Sequence, residues 1–224
     1  MNNENIKQNI SLIKSNIEQV AKKFSRNAEK IKIIAVSKTQ SIEAISAAFY
    51  AGATIFGENY VQELVEKQSL LSEKGILPEW HFIGHLQTNK VKYIAPFVSL
   101  IHSVDSEKLA SEISRQAEKN NRTIDILLQI NTSGEISKFG CEPDEAINLA
   151  ERVSSLPNVK LKGLMTIGTF SDDEAIIRKE FRLLRSKLEE INDKLGLNMN
   201  ELSMGMSHDY EIAIEEGATM VRIG

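Results

Sequence analysis

Short apolar runs of β type alternate with helical stripes along this chain until the runs number eight, and nothing else in it limits the fold as much. The first element is a helix: Ile6, Ile10, Ile13, Ile17, Val20 and Phe24 recur at steps of four and three and form one apolar stripe. The period then changes. Ile31 to Lys38 reads as strand one, followed by Ser41 as an N-cap and a helix through Ile42, Ile45, Ala48 and Phe49 that Gly52 ends. Strand two is Thr54-Ile55-Phe56, before a helix carrying Val61, Leu64, Val65 and Leu71. Strand three is Glu79 to Ile83, before a helix from Gln87 to Ile94. Strand four is Val98 to Val104, with Asp105 placed to cap the helix through Leu109, Ile113 and Ala117. Strand five is Ile124 to Asn131, with a helix carrying Ala146, Leu149, Ala150 and Val153. Strand six is Lys160 to Ile167, and Ser171-Asp172-Asp173-Glu174 resembles a capping box opening the helix to Leu195. Strand seven is Glu201 to Met204, the last helix runs from Asp209 to Glu216, and strand eight is Thr219 to Ile223.

Eight such units predict an α/β fold, a single closed (β/α)₈ barrel over residues 1–224 with an extra amino-terminal helix (1–28) packed on it. A doubly wound open sheet is the alternative if the strand count is off by one or two. At 224 residues and 42% hydrophobic content, the chain can bury the core of one such domain. A net charge of −4 gives no basic excess of the kind that nucleic-acid binding requires. The single cysteine, Cys141, cannot form an internal disulfide, and the polar amino terminus lacks an apolar signal core, so a cytoplasmic protein is expected. No stretch approaches the roughly 20 apolar residues of a membrane span. Gly84 interrupts His81 and His85, and the four histidines show no zinc-type spacing, so no metal is expected. The first helix's stripe is expected to face the barrel, which leaves a monomer as the default.

In such barrels, chemistry sits at the carboxyl ends of the strands. That rule gathers Lys38, Asn59, Ser203 to Ser207 and Arg222 at one mouth. A lysine at the exit of a buried strand can be desolvated, and its neutral amine can attack an aldehyde; alternatively it snorkels into water. After strand seven, Gly205 allows tight turning and Ser207 can cap the next helix, whose amides would favour a phosphate. A capped loop without a ligand is the other reading. Arg222 can serve a ligand or an internal carboxylate, and Gly224 would let backbone approach a phosphate. An amine, a phosphate cradle and a permanent donor are together the parts needed to hold pyridoxal 5′-phosphate (PLP). An arginine facing the pyridine nitrogen can only donate, which favours an unprotonated ring, a weaker electron sink.

Seven runs carry a family resemblance. They are Ala35-Val36-Ser37-Lys38-Thr39, Phe56 to Glu63, Trp80 to Lys90, His102-Ser103-Val104-Asp105, Gly163 to Ile167, Ser203-Met204-Gly205-Met206-Ser207, and Val221-Arg222-Ile223-Gly224. Together they resemble the pyridoxal phosphate homeostasis protein family (YggS/PROSC type). The resemblance implies a barrel like the amino-terminal domain of alanine racemase, with PLP in a Schiff base on Lys38. It also implies a role in vitamin B6 and amino-acid homeostasis without established catalysis, with PLP-dependent apoenzymes as candidate partners. Lys38, Asn59, Ser203, Ser207, Arg222 and Gly224 are the expected cofactor-binding residues. The family pattern continues past Arg222-Ile223-Gly224 with another phosphate-binding residue, which lies outside this sequence.

The rival reading is a PLP-dependent amino-acid racemase. It needs a second acid/base, for which Tyr60, Tyr93 and Tyr210 are candidate substitutes, each at a helix or helix start. A third reading is an aldolase using Lys38 without a cofactor.

Overall fold

A computed structural model of the chain describes residues 3–135 and 139–224 and closes eight parallel strands into a barrel in sequence order. The strands are β1 Lys32–Val36, β2 Ile55–Glu58, β3 Glu79–Phe82, β4 Leu100–Val104, β5 Ile124–Gln129, β6 Val159–Met165, β7 Glu201–Met206 and β8 Met220–Ile223. The helices are α1 Asn3–Lys23, α2 Ile42–Tyr50, α3 Val61–Glu73, α4 Val91–Ile94, α5 Glu107–Lys119, α6 Ala146–Ser154, α7 Glu174–Leu195 and α8 Tyr210–Glu215. The ring closes where β1 pairs β8, from Lys32↔Met220 to Ala35↔Ile223. The expected (β/α)₈ barrel is the fold.

Alternation along each strand sorts the side chains. Phe56, Trp80, Phe82, Ile101, Ile126 and Val221 join the helix faces in the large outer core, while Ile34, Leu100, Leu127, Met165 and Met220 form a small cluster inside the barrel. Burying each large apolar side chain contributes about 1.5–3 kcal/mol, so the outer layer supplies most of the driving force. Two close approaches exist only because a side chain is missing. A Cβ on Gly163 would strike the Glu201 backbone across β6 and β7, and one on Gly84 would lie 2.7 Å from the Asn59 Cα.

The amino-terminal helix is less an addition than the closing member of the helical ring. It contacts α2 on one side and α8 on the other, burying Ile6, Ile17 and Ala21. Lys14 Nζ donates to Gly52 O (3.1 Å) just past α2, and Arg26 Nη1 donates to Ile214 O (2.6 Å) at the end of α8. Both cations thus meet carbonyls at helix carboxyl termini. Residues 1 and 2 of the expected 1–28 segment lie outside the described residues. Among the described residues, no helix is long and apolar enough to cross a membrane.

Three local expectations are corrected. Ser106, not Asp105, caps α5: it is extended (φ −152°, ψ 152°) and accepts Leu109 N at 3.4 Å. Asp173, not Ser171, caps α7 by accepting Ala175 N at 2.9 Å, while Ser171 Oγ accepts Asp173 N one step earlier. The helix expected from Gln87 to Ile94 is a 3₁₀ turn, Thr88–Lys90, followed by the single-turn α4.

Candidate ligand site at the barrel mouth

The β1 ladder extends one residue past the strand, because Ser37 N donates to Gly57 O (3.0 Å), and Lys38 then enters a tight turn. Thr39 adopts φ +62°, its hydroxyl donates to Lys38 O (2.6 Å), and its N–H is held by Glu63 Oε2 (3.0 Å). Below the turn, Lys67 Nζ donates to Ser37 O (2.7 Å), Glu58 Oε1 (2.7 Å) and Glu63 Oε2 (2.9 Å), and Ser37 Oγ donates to Glu58 Oε1 (2.6 Å). Burial pushes the Glu58 carboxyl up, against the pull of Lys67 and Ser37; Lys67 and the Thr39 amide hold Glu63 down. Both neighbours of Lys38 are therefore pinned from β2 and α3. The amine itself has no hydrogen-bond or ion-pair partner among the described residues. The desolvation expected from its strand-exit position is absent, for Lys38 is exposed, two residues beyond the strand end.

Arg222, on β8 beside β1, is the opposite case. Its side chain points into the barrel and is almost fully buried, donating from Nη1 to Ser203 Oγ (2.8 Å) and from Nη2 to Thr166 O (2.9 Å). Burial pushes its pKa down to about 10, partly opposed by Asp209. It is still a cation at neutral pH, and among the described residues no carboxylate bonds it. Its remaining N–H hydrogens are unassigned. Ser203, expected to bind the ligand, is fully buried with its hydroxyl engaged by Arg222 and His102, so it reaches the mouth only through the guanidinium.

Ser207 does not cap the following helix, contrary to expectation. Asp209 is the residue before α8, and its Oδ1 accepts Met206 N (2.6 Å), closing the loop two residues later than foreseen. Gly205 makes that loop possible at φ +92°, where a Cβ would lie 2.5 Å from Ala213 Cβ. Ser207 is left exposed and bridges to the end of β8, its Oγ accepting Gly224 N (3.2 Å). Hydroxyl and amide thus share one lip of the mouth, and Gly224 lies against Val36 of β1.

Asn59 sits at the exit of β2, half-buried, with a buried Oδ1 that has no hydrogen-bond partner among the described residues. With Tyr60, Gly84, His85, Gln87 and Lys90 it lines a recess of about 410 Å³. His85 stacks on Phe139, ring centroids 4.0 Å apart. Tyr210 is buried, and its hydroxyl accepts from Asn16 Nδ2 of α1 (3.4 Å); Tyr60 and Tyr93 are exposed. The buried Glu58–Lys67 pair was missed from sequence. Its only visible signal was the Glu63/Lys67 spacing of four on a helix.

The family described as alanine racemase, N-terminal domain, matches this chain over residues 8–224. A pyridoxal phosphate homeostasis protein of Aquifex aeolicus is 43% identical over 217 residues, covering 97% of this chain and 94% of that protein. The Homo sapiens protein of the same name is 40% identical over 224 residues, with 95% and 82% covered. PipY of Synechococcus elongatus, solved with PLP bound, superposes with a TM-score of 0.81 at 34% identity, covering 93% of this chain and 97% of that one. An alanine racemase of Clostridium difficile shares the fold at 16% identity (TM-score 0.77), with 99% of this chain aligned to 55% of that enzyme.

Proposed function

The chain belongs to the pyridoxal phosphate homeostasis protein family, built on the alanine racemase N-terminal domain, and we propose that it binds PLP at the barrel mouth through a Schiff base on Lys38. The observation that carries this reading is the pairing of an uncommitted amine at the end of β1 with a buried, incompletely bonded guanidinium on adjacent β8. The Lys38 nitrogen would bond the aldehyde carbon while the aldehyde oxygen leaves as water. Arg222 would donate to the ring nitrogen, and the lip formed by Ser207 and Gly224 would receive the phosphate. Asn59, with its unpartnered Oδ1, would flank the ring from β2.

When bound, PLP can act as an electron sink for amino-acid chemistry. This site's residues restrain it. Arg222 is a donor at every physiological pH, so the ring nitrogen would stay unprotonated. The racemase reading needs a second acid/base at the mouth, and Tyr210 is committed beneath α1. A carrier that supplies PLP-dependent apoenzymes, within vitamin B6 and amino-acid homeostasis, is the role these features support. The names of the relatives support it too.

Absorbance tests this. Protein incubated with PLP and desalted should keep a visible imine band, and Lys38→Ala should abolish that band. A wild-type protein that stays colourless would overturn the reading. Robust amino-acid racemisation by the loaded protein would replace the carrier with the racemase.

A further inference from the structure

A line of polar side chains crosses the inside of the barrel, where the fold otherwise places apolar ones. Arg222 Nη1 meets Ser203 Oγ (2.8 Å), Ser203 Oγ meets His102 Nδ1 (2.8 Å), His102 Nε2 meets His81 Nδ1 (2.9 Å), and His81 Nε2 meets Glu79 Oε1 (3.0 Å). Four of the five are buried, and Glu79 alone reaches water, at the amino-terminal floor of the barrel. Resting on the reading of Arg222 as the ring-nitrogen donor, we propose that Ser203, His102, His81 and Glu79 are positioning residues, a one-way hydrogen-bond chain that fixes Arg222 and couples it to the floor.

The two ends dictate the polarity. A guanidinium can only donate and a carboxylate can only accept. Ser203 must therefore accept from Arg222, which leaves its one hydrogen for His102 Nδ1. With Nδ1 an acceptor, His102 carries its proton on Nε2 and donates to His81 Nδ1. His81 then carries its own proton on Nε2, where Glu79 accepts it. Each ring is neutral, each in the Nε2–H form, and no hydrogen is left without an acceptor. This agrees with the burial that holds His102 well below the usual imidazole range, and with the His81 hydrogen bond that holds Glu79 down.

A proton added to His81 Nδ1 would face the His102 Nε2–H, and the repulsion clears only if His102 moves its proton to Nδ1. Ser203 would then lose its acceptor and turn its hydroxyl, changing what Arg222 bonds. The remaining charges on the barrel strands are Lys32 and Glu201, ion-paired at 2.6 Å, Glu58, paired with Lys67 at 2.7 Å, and Asp125, Lys160 and Lys162; Asp209 acts on Arg222. No second carboxylate is bonded to the chain among the described residues.

Histidine ¹⁵N NMR on the PLP-free protein tests the polarity without any ligand. Two buried imidazoles should carry a proton on Nε2 at pH 7, and His102 should stay neutral below the ordinary histidine value of 6.5. Either ring charged, or protonated on Nδ1, overturns the chain. With PLP bound, the pH midpoint of the visible band should shift by about one unit, tenfold in proton affinity, in Glu79→Gln and Ser203→Ala. Ser203→Thr, which keeps the hydroxyl, should restore it. Glu79→Gln removes an exposed charge and keeps the variant set informative if Ser203→Ala does not fold. Midpoints identical to wild type in Glu79→Gln would refute the coupling. The expected tautomers in a protein that takes up no PLP would sink the functional reading instead, leaving the polarity intact.

Discussion

Ser37 and Thr39 carry the bonds that Lys38 lacks. Ser37 is held by Glu58 and Lys67, Thr39 by Glu63, and the lysine between them is fixed in backbone and free at its amine. Such an arrangement lowers the entropy of capturing an aldehyde without burying the nucleophile beforehand. Gly84 works in the same way for Asn59, since its missing side chain lets two loops touch. Gly84→Ala should therefore destabilise the protein by about 1–3 kcal/mol, read by denaturant unfolding, because the added methyl meets backbone that cannot rotate aside. An unchanged midpoint would show that the loops give way freely. At this scale the sequence spoke unevenly. Lys38, Arg222 and Gly224 announced themselves as polar or small residues at the exits of apolar strands. His81 and His102 did not, although alternation among Trp80, Phe82 and Ile101 already put them inside. Their meaning depends on partners 21 and 101 residues apart along the chain, and local pattern carries no such pairing.

Among the elements, α8 shows how a short helix is kept in place. Its C-cap residue Glu216 is buried and accepts from Arg182 Nε (2.9 Å) and Arg178 Nη1 (3.3 Å) of α7, while Arg185 Nη1 donates to its carbonyl (3.1 Å). Burial alone would raise this carboxyl, but Arg182 and Arg178 outweigh it and hold Glu216 below its ordinary value. A depressed carboxylate stabilises the fold above its unfolded pKa and loses that contribution as pH falls through the folded one. Glu216→Gln should cost about 1 kcal/mol at neutral pH, discounted because the arginines are partly in water. The gap from wild type should close below the ordinary carboxylate value of 4.5. A gap that persists in acid would mean that the side chain's shape matters and its charge does not. The eight-fold alternation made every strand readable here, because period two and period 3.6 are different signals. The caps were less readable. Asp105, Ser171 and Ser207 each have the right chemistry and stand one or two residues from the true cap. Which neighbour takes the extended cap conformation is set by how the loop leaves the strand.

Across the whole molecule, a polar thread joins an ion-paired floor to the mouth through an apolar barrel, and the mouth gathers groups from β1, β2, β7 and β8. The floor carries Lys32, Glu79 and Glu201; the mouth carries Lys38, Arg222, Ser207 and Gly224. Buried polar groups of this kind cost stability unless every donor finds an acceptor. The Arg222-to-Glu79 chain meets that condition along its length, and only the guanidinium's outward hydrogens are left for a ligand. On the proposed function the ligand is PLP and Lys38 is its covalent anchor. Borohydride reduction of the PLP-loaded protein, followed by peptide mass spectrometry, tests it most directly. One pyridoxyl group per chain, on Lys38, is the predicted result; a label on Lys67 or Lys90, or no label at all, would contradict it.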